Sequence, residues 1–434
     1  MLTSKSAITK IQAMVLSAII IVAGVAGVVY VFWMGNPQSA ETIKIGICAD
    51  LDMSRGPEML NGAILAAEEI NAEGGILGRQ IEIIAEDSDI EATQLDPSKA
   101  VLALTRLITY HKVDFVIVGG GSDYVIETAA EHKTIMFASL SPTDSLTQQV
   151  IDDYDRYKYF FRLGLNQTAF NTITINTLEV LKEITGFNKV AYLALDVPQL
   201  ARSVDLLDYY LPEVYGFDLV YRGLFPWGTM DFSSYFAAAE AAGAEIMIPL
   251  MVNQEGLLFV KEWYDRQSPM VVWGLNAYAS EDTGWSDSEG KVEHTTGYAS
   301  SALQLGYPAT AKTVVTEEAF LNRWGELPIF QAVVTYDCIR FLLCDALKRA
   351  QTTETEAVIK ALEESNIESS FEKNFRFTSS HDHYFSLEDE TAISMMFQWQ
   401  ADGTKAIVYP KNIMKETGAS YTFPDWPGPW DNLN

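Results

Sequence analysis

Basic residues are scarce in this sequence, because 30 lysines and arginines stand against 58 aspartates and glutamates, which gives a formal net charge of −28. A protein that binds nucleic acid needs a basic face to neutralise phosphates, so this balance argues against a nucleic-acid partner. The acidic excess favours solubility but identifies no ligand.

Histidine and cysteine are also rare, with five and three residues in a chain of 434. Two histidines stand close together in His381-Asp382-His383, which we interpret as a polar loop, with a metal site as the alternative. Cys48 ends a predicted strand, whereas Cys338 and Cys344 point about 120° apart on a predicted helix. We predict three buried thiols and no disulfide framework, metal or cofactor.

Sequence motifs of common catalytic sites are missing. The chain has no Gly-x-Ser-x-Gly nucleophile elbow, no Gly-x-x-x-x-Gly-Lys phosphate loop and no His-Glu-x-x-His zinc motif. Carboxylate pairs such as Asp50 and Asp52 are common in so acidic a chain and do not by themselves indicate acid–base catalysis. We predict that the protein is not an enzyme.

An uncharged and mostly apolar run of 24 residues, Ile11–Met34, lies near the N-terminus. It is long enough to cross a bilayer of about 30 Å, and Lys5 and Lys10 precede it. The positive-inside rule predicts a cytoplasmic start (1–10), a transmembrane helix (11–34), a tether (35–42) and an extracellular or periplasmic remainder. A signal peptide cleaved near Ser39-Ala40 is the alternative.

The stretch Ile43–Asp89 predicts a βαβ unit. Ile43–Ile47 alternates and is rich in β-branched residues, as strands are. The next segment has apolar residues at helical spacing, followed by glycines that can close a helix: Met59, Ala63, Ala67, Ile70 and then Gly74-Gly75. Gln80–Ala85 is a second predicted strand. This order predicts two parallel strands.

Short motifs recur along the chain in a fixed order. The first unit carries Asn61-Gly62-Ala63, Ala66-Ala67-Glu68-Glu69-Ile70-Asn71, Gly74-Gly75-Ile76-Leu77-Gly78-Arg79 and Glu86-Asp87-Ser88. Later segments add Tyr159-Phe160-Phe161-Arg162, Asp231-Phe232-Ser233, Thr335-Tyr336-Asp337 and the stretch 395–403. In this order and spacing the chain, from about Ile43 to Tyr409, resembles the branched-chain amino-acid (Leu/Ile/Val) binding proteins.

The resemblance implies an α/β, type I periplasmic-binding-protein fold, in which two doubly wound lobes are joined by three crossing segments, here preceded by the predicted transmembrane helix. We place lobe 1 at 43–164 with 304–377, and lobe 2 at 165–303 with 378–410. We place a C-terminal tail at 411–434 and expect its segment Phe423–Trp430 to pack on the surface. Such lobes imply a cleft that closes on a solute.

The resemblance also implies where a ligand binds. In the family, two hydroxyl-bearing loops at neighbouring strand ends hold a carboxylate, at the edge where open α/β sheets bind ligands. Where relatives present carboxylates to an ammonium group, this chain has asparagines, and Gln199 or Leu200 stands where an aromatic residue often covers the ligand. This favours a neutral or amide-like solute, unless Asp196 or Glu255 supplies the charge. The predicted ligand-binding residues are Ser122, Asp123, Ser141, Thr143, Asn166, Gln199, Asn276 and Asp52.

The predicted function is that of an extracellular solute-binding protein. It captures a small polar solute, an amino acid or an amide-like compound, in a cleft between lobes and delivers it to an ABC importer. The predicted partners are the solute and the ABC permease in the membrane. The alternative is a ligand-sensing receptor or regulatory module of the same fold, although only about ten residues precede the predicted membrane helix.

Overall fold

Two compact units make up the chain in the computed structural model, which describes residues 22–24, 27–32, 41–52, 55–89, 97–299, 302–386 and 395–433. Unit 1 is formed by the described residues of Met1–Leu165, Thr316–Ser369 and Asn374–Tyr384. Unit 2 is formed by those of Asn166–Val315, Ser370–Lys373 and Phe385–Asn434. The predicted lobe boundaries at 304 and 378 stand earlier in the chain than the unit boundaries at Thr316 and Phe385.

The predicted βαβ unit is confirmed in unit 1. Ile43–Ala49 lies parallel to Ile81–Asp87, with Ile45 opposite Ile83, and the helix Arg55–Ala72 connects them. The five parallel strands of this sheet stand in the order Ile81–Asp87, Ile43–Ala49, Phe115–Val118, Ile135–Ala138 and Phe160–Arg162. The first strand of the chain in this set therefore lies inside the sheet, as in doubly wound folds.

The first helix packs against the sheet through its predicted apolar face. Met59, Ala63 and Ile70 are buried. On another side the helix lies backbone to backbone with a later helix, because a Cβ on Gly62 would come within 2.1 Å of the carbonyl oxygen of Ala332. The described helices of unit 1 are Arg55–Ala72, Ser98–Thr109, Asp123–His132, Ser145–Asp152, Tyr154–Tyr157, Phe330–Asp337, the π-helix Cys338–Leu343, Cys344–Ala350 and Thr355–Glu363.

Unit 2 has a second parallel sheet. Ile246–Met251 pairs with Lys189–Leu195 on one side and with Val271–Val272 and Leu275–Asn276 on the other, and Asp218–Phe225 lies outside Lys189–Leu195. An antiparallel sheet is built from Thr296–Ala299, Met395–Trp399 and Lys405–Tyr409. The described helices are Gln167–Thr185, Pro198–Glu213, Ser233–Ala241, Glu255–Asp265, Ala277–Ser280, Gly284–Asp287, the 3-10 helix Ala302–Leu305, Lys411–Thr417 and the 3-10 helix Pro429–Asn432, while Ala311–Trp324 contains the boundary to unit 1.

The expectation that the C-terminal tail packs on the surface is wrong. Trp426 and Trp430 are buried in the core of unit 2. The Trp426 ring lies 5.2 Å from that of Trp263 at an angle of 66°, and its Nε1 donates to the carbonyl oxygen of Ser268 at 3.0 Å. Each ring buries a large apolar area while its N–H finds a carbonyl, so the tail completes this core.

The predicted transmembrane helix 11–34 is not supported where the structure describes it. Val22–Gly24 and Gly27–Phe32 are strands, and Gly27–Phe32 pairs antiparallel with Ile81–Asp87 at the edge of the unit 1 sheet. This stretch is rich in β-branched and aromatic residues, which favour strands as much as they favour membranes. The rest of the predicted helix and the tether up to Ala40 lie outside the described residues. Within the described ranges, no helix combines the length and apolar character needed to cross a membrane.

The three cysteines are buried and unpaired, as predicted. Burial raises the pKa of the Cys48 thiol, and the neighbouring charges of Glu86 and Asp87 raise it further. The protonated thiol therefore packs as a small apolar group.

Candidate functional site

Three parallel strands of unit 1 end at one edge of the sheet. Cys48, Val118 and Ala138 are aligned in register there. The loops that follow the second and third strands touch, because the Ser139 hydroxyl donates to the carbonyl oxygen of Gly119 at 2.9 Å. This edge therefore carries two adjacent loops with glycines and small hydroxyls, an arrangement that suits ligand binding in open α/β sheets.

Ser141 is the most distinctive polar residue at this edge. It is 0% exposed, and its hydroxyl has no hydrogen-bond partner among the described residues. A buried and unpaired hydroxyl costs about 1–3 kcal/mol, and a serine hydroxyl can both donate and accept. Thr143 lies half-buried on the same loop. Two predicted site residues thus stand on one loop, and one of them carries a buried hydroxyl without a partner among the described residues.

A buried arginine holds this loop. Arg162 donates from Nη2 to the carbonyl oxygen of Thr143 at 2.8 Å, and its Nε lies 2.9 Å from Oδ1 of Asp382. Burial lowers the pKa of Arg162, while the charge of Asp382 raises it. Arg162 is fully buried, so its guanidinium fixes the loop backbone from inside unit 1.

The other predicted residues of unit 1 are exposed. Ser122 precedes the helix Asp123–His132 in extended backbone, and its side chain does not cap the helix. Asp123 accepts a hydrogen bond from Nε2 of Gln149 at 3.1 Å. Asp52 lies exposed in the turn after the first strand. Their ligand-binding roles stay predictions.

The two predicted asparagines of unit 2 cap helices. Oδ1 of Asn166 accepts from the backbone amide of Ala169 at 2.7 Å. Asn276 is buried; its Oδ1 accepts from the amide of Ala279 at 3.3 Å, and its Nδ2 donates to the carbonyl oxygen of Gly256 at 2.8 Å. Both amide atoms of Asn276 are therefore engaged with backbone. Capping is the usual role of asparagine at a helix start.

The acidic alternatives in unit 2 differ from each other. Asp196 is exposed after the strand Lys189–Leu195. Glu255 is buried, and its Oε1 accepts from the backbone amide of Gly228 at 2.6 Å. The Glu255 carboxylate thus holds a neighbouring loop in place.

The position predicted to cover the ligand lies in the helix Pro198–Glu213. Leu200 is buried there, and the side chain of Gln199 is not among those that the structure describes.

Comparison with known proteins identifies the family. A model described as periplasmic binding protein matches residues 42–404, most of the chain. The chain belongs to the periplasmic binding protein family. Leu/Ile/Val-binding protein homolog 7 of Brucella suis is 22% identical over 365 residues, which are 82% of this chain and 87% of that protein. The resemblance predicted from the sequence motifs is confirmed.

Solved structures show the same fold as this periplasmic binding protein. A putative branched-chain amino acid ABC transporter from Silicibacter pomeroyi has a TM-score of 0.76 at 18% identity and covers 89% of this chain and 100% of its own. The substrate binding protein LivJ from Streptococcus pneumoniae, in complex with isoleucine, has a TM-score of 0.68 at 19% identity and covers 85% and 100%. The α/β, type I periplasmic-binding-protein fold is therefore confirmed.

Sequence reasoning missed Asn253 of this periplasmic binding protein. It follows the strand Ile246–Met251 and is 3% exposed, yet neither amide atom has a hydrogen-bond partner in the described part of the chain. Asparagines are common in loops, so the sequence carries no signal that distinguishes this one from a turn residue. Only the structure distinguishes Asn253 from a turn residue, because it shows that the side chain is buried and that its amide has no hydrogen-bond partner among the described residues.

The segment His381-Asp382-His383 takes part in a buried polar cluster of unit 1. His381 Nδ1 lies 3.1 Å from the carbonyl oxygen of Phe160, and Nε2 lies 3.0 Å from Oε1 of Glu363. Its ring stacks on Phe161 at 4.1 Å. Burial lowers the pKa of His381. Both ring nitrogens thus have protein partners, and among the described residues no group of three or more His, Cys, Asp or Glu is placed to hold a metal.

Proposed function

We propose that this protein binds a small polar solute and delivers it to an ABC importer. Membership of the periplasmic binding protein family supports solute binding. Relatives named Leu/Ile/Val-binding protein homolog 7 and a neighbour of known structure that holds isoleucine support a polar, amino-acid-sized solute. The observation that carries the proposal is the buried, unpaired hydroxyl of Ser141 at the carboxyl edge of a parallel sheet.

The chemistry of this edge suits a ligand with an oxygen or nitrogen acceptor. Ser141 offers a hydroxyl, and Arg162 fixes the loop through the carbonyl oxygen of Thr143. A preorganised loop loses little conformational entropy when a ligand binds. The groups named here bind and orient a solute, and we propose no covalent chemistry for them.

Native mass spectrometry of the full-length protein with a panel of amino acids, amides, ureas and polyols tests this proposal. We expect a 1:1 adduct with at least one solute, and NMR of the mixture should recover that solute unchanged. Ser141→Ala should weaken the adduct about tenfold, which corresponds to one lost hydrogen bond. Ser145→Ala is the control, because Ser145 is exposed. Absence of every adduct, or consumption of the solute, would contradict the proposal.

Delivery to an importer is a separate part of the proposal. We expect cells without this protein to lose high-affinity uptake of the solute and to regain it with the wild-type chain but not with Ser141→Ala. Uptake of the radiolabelled solute measures this. Unchanged uptake in the deletion strain would favour the sensing alternative.

The proposed location is outside the cytoplasm, as the family suggests. Alkaline carbonate extraction tests whether the chain is attached to a membrane, because an anchored chain stays in the membrane pellet and a released chain does not.

A further inference from the structure

Two buried asparagines stand at the same edge of the unit 2 sheet. Asn276 pairs in register with Met251 in the adjacent strand, and Asn253 follows Met251 by two residues. Both side chains are nearly inaccessible to solvent. They differ in what their amide groups contact.

The Asn276 amide is fully committed to the backbone. Its Nδ2 donates to Gly256, its Oδ1 accepts from Ala279, and a Cβ on Gly256 would come within 2.1 Å of Oδ1. The Asn253 amide, by contrast, has no partner for Nδ2 or Oδ1 among the described residues. Its backbone is nonetheless held, because its carbonyl oxygen accepts from the amide of Gly256 at 3.2 Å.

A buried amide without partners carries a desolvation cost that a ligand can remove. The carboxamide of Asn253 presents one acceptor oxygen and one donor nitrogen next to each other. A ligand group that pairs with both atoms of Asn253 must have one donor and one acceptor at the same spacing. A carboxamide and a urea both have this arrangement. An ionised carboxylate offers only acceptors and an ammonium group only donors, so each would leave one atom of Asn253 unpaired.

We propose that Asn253 is a specificity-determining residue that selects solutes with a carboxamide or urea group through a pair of hydrogen bonds. This inference rests on the proposed solute-binding function and narrows its substrate class. The buried carboxylate nearest in sequence, Glu255, accepts from the backbone amide of Gly228, so it is already engaged in holding that loop.

Isothermal titration of the full-length protein with matched small solutes tests the inference. The probes are propionamide, isobutyramide and urea, together with propionate, isobutyrate and propylamine. We expect the amides to bind at least tenfold more tightly than their matched acids and amine. In Asn253→Asp the carboxylate accepts from two donors, so we expect the amides to lose ten- to a hundredfold in affinity and propylamine to gain.

A stability measurement separates recognition from a structural role. In Asn253→Leu, the loss of an unpaired amide should leave the midpoint of thermal unfolding, measured without any solute, unchanged or higher, while the preference for amides disappears. Asn276→Leu is the matched control, and it should lower the midpoint because it removes two hydrogen bonds to the backbone.

Each unfavourable outcome has a distinct meaning. If the wild type binds another solute class and Asn253→Asp and Asn253→Leu keep its affinity, the inference is overturned while solute binding stands. If Asn253→Leu lowers the midpoint of thermal unfolding as Asn276→Leu does, Asn253 is structural and the inference fails. If none of the six probes binds, the carboxamide assignment is overturned, and the wider native mass-spectrometry panel decides the proposed function separately.

Discussion

The guanidinium of Arg162 donates a hydrogen bond to the carbonyl oxygen of Thr143 at 2.8 Å, from a position with no solvent exposure. This contact connects the last parallel strand of unit 1 to the loop that carries Ser141. The same side chain pairs with Asp382, from a segment far along the chain. This loop is therefore fixed by residues outside it.

Arg162→Lys should loosen this loop. Lysine keeps the positive charge opposite Asp382 but lacks the planar fork that also reaches Thr143. We expect the free energy of unfolding to fall by about 1–3 kcal/mol and solute affinity to fall several-fold. Urea denaturation and calorimetric titration measure the two effects.

The matched control for this change is Arg156→Lys. Arg156 is exposed and pairs with Glu127 at the surface, so both quantities should stay unchanged. An equal loss of affinity in the two variants would show that Arg162 does not position the loop.

Gly256→Ala tests the close approach in unit 2. The new methyl group would lie within 2.1 Å of Oδ1 of Asn276, so we expect a loss of about 1–3 kcal/mol in the free energy of unfolding. Asn276→Ala removes the obstructing atom. The double variant should therefore lose less than the sum of the single losses, and an additive result would rule out the contact as the cause.

The stability of the protein should depend on pH through His294. Its Nδ1 lies 3.0 Å from the hydroxyl of Thr422, and burial lowers the pKa of His294 from 6.5 to about 4 against the charge of Asp425. Between these values the folded protein binds fewer protons than the unfolded chain. The stabilisation is complete above pH 6.5 and decreases as the pH falls towards 4.

His294→Gln should reduce this dependence by about 1–2 kcal/mol between pH 7.5 and pH 5, as measured by urea denaturation at both values. Part of the dependence should remain, because burial also lowers the pKa of His381. His132→Gln is the control. If His294→Gln and wild type lose equal stability on acidification, His294 does not titrate with folding.

Trp426→Ala should destabilise unit 2 by about 3–5 kcal/mol, because it removes a buried ring from the core and leaves a cavity. Trp227→Ala is the matched control, since Trp227 is 61% exposed and should change the free energy of unfolding by less than about 0.5 kcal/mol. Urea denaturation compares them. Similar stabilities of the two variants would mean that the tail contributes little to the core.

Hydrophobic periodicity predicted the regular parts of the fold. The parallel pairing of Ile43–Ala49 with Ile81–Asp87 follows from the local pattern of strand, helix and strand in the sequence. The tail around Trp426 has no such period, so its burial depended on contacts with Trp263, which is distant in the sequence. The predicted transmembrane helix over Ile11–Met34 is not supported for a related reason. Hydropathy does not distinguish a membrane helix from a strand rich in β-branched residues.

The candidate site could be predicted in part. The family resemblance placed Ser141 and Thr143 on the loop after a strand, and the structure has that loop at the carboxyl edge of the parallel strands. Their ligand-binding roles stay predictions. Asn276 illustrates what sequence cannot provide, because its amide is used by Gly256 and Ala279. Asn253 is the opposite case, because it is buried and neither atom of its amide has a hydrogen-bond partner among the described residues. Whether a buried polar side chain has partners depends on three-dimensional contacts that no local pattern encodes.

The measurement that tests the central claim most directly is a thermal-shift screen of the full-length wild type and Ser141→Ala against one panel of amino acids, amides, ureas and polyols. A ligand at 100 times its dissociation constant adds about 2.7 kcal/mol, a shift of a few degrees in a protein of this size. We expect at least one solute to raise the melting temperature of the wild type, with a smaller rise in Ser141→Ala. No shift with any solute, or an equal shift in both proteins, would contradict the assignment of this sheet edge as the solute site.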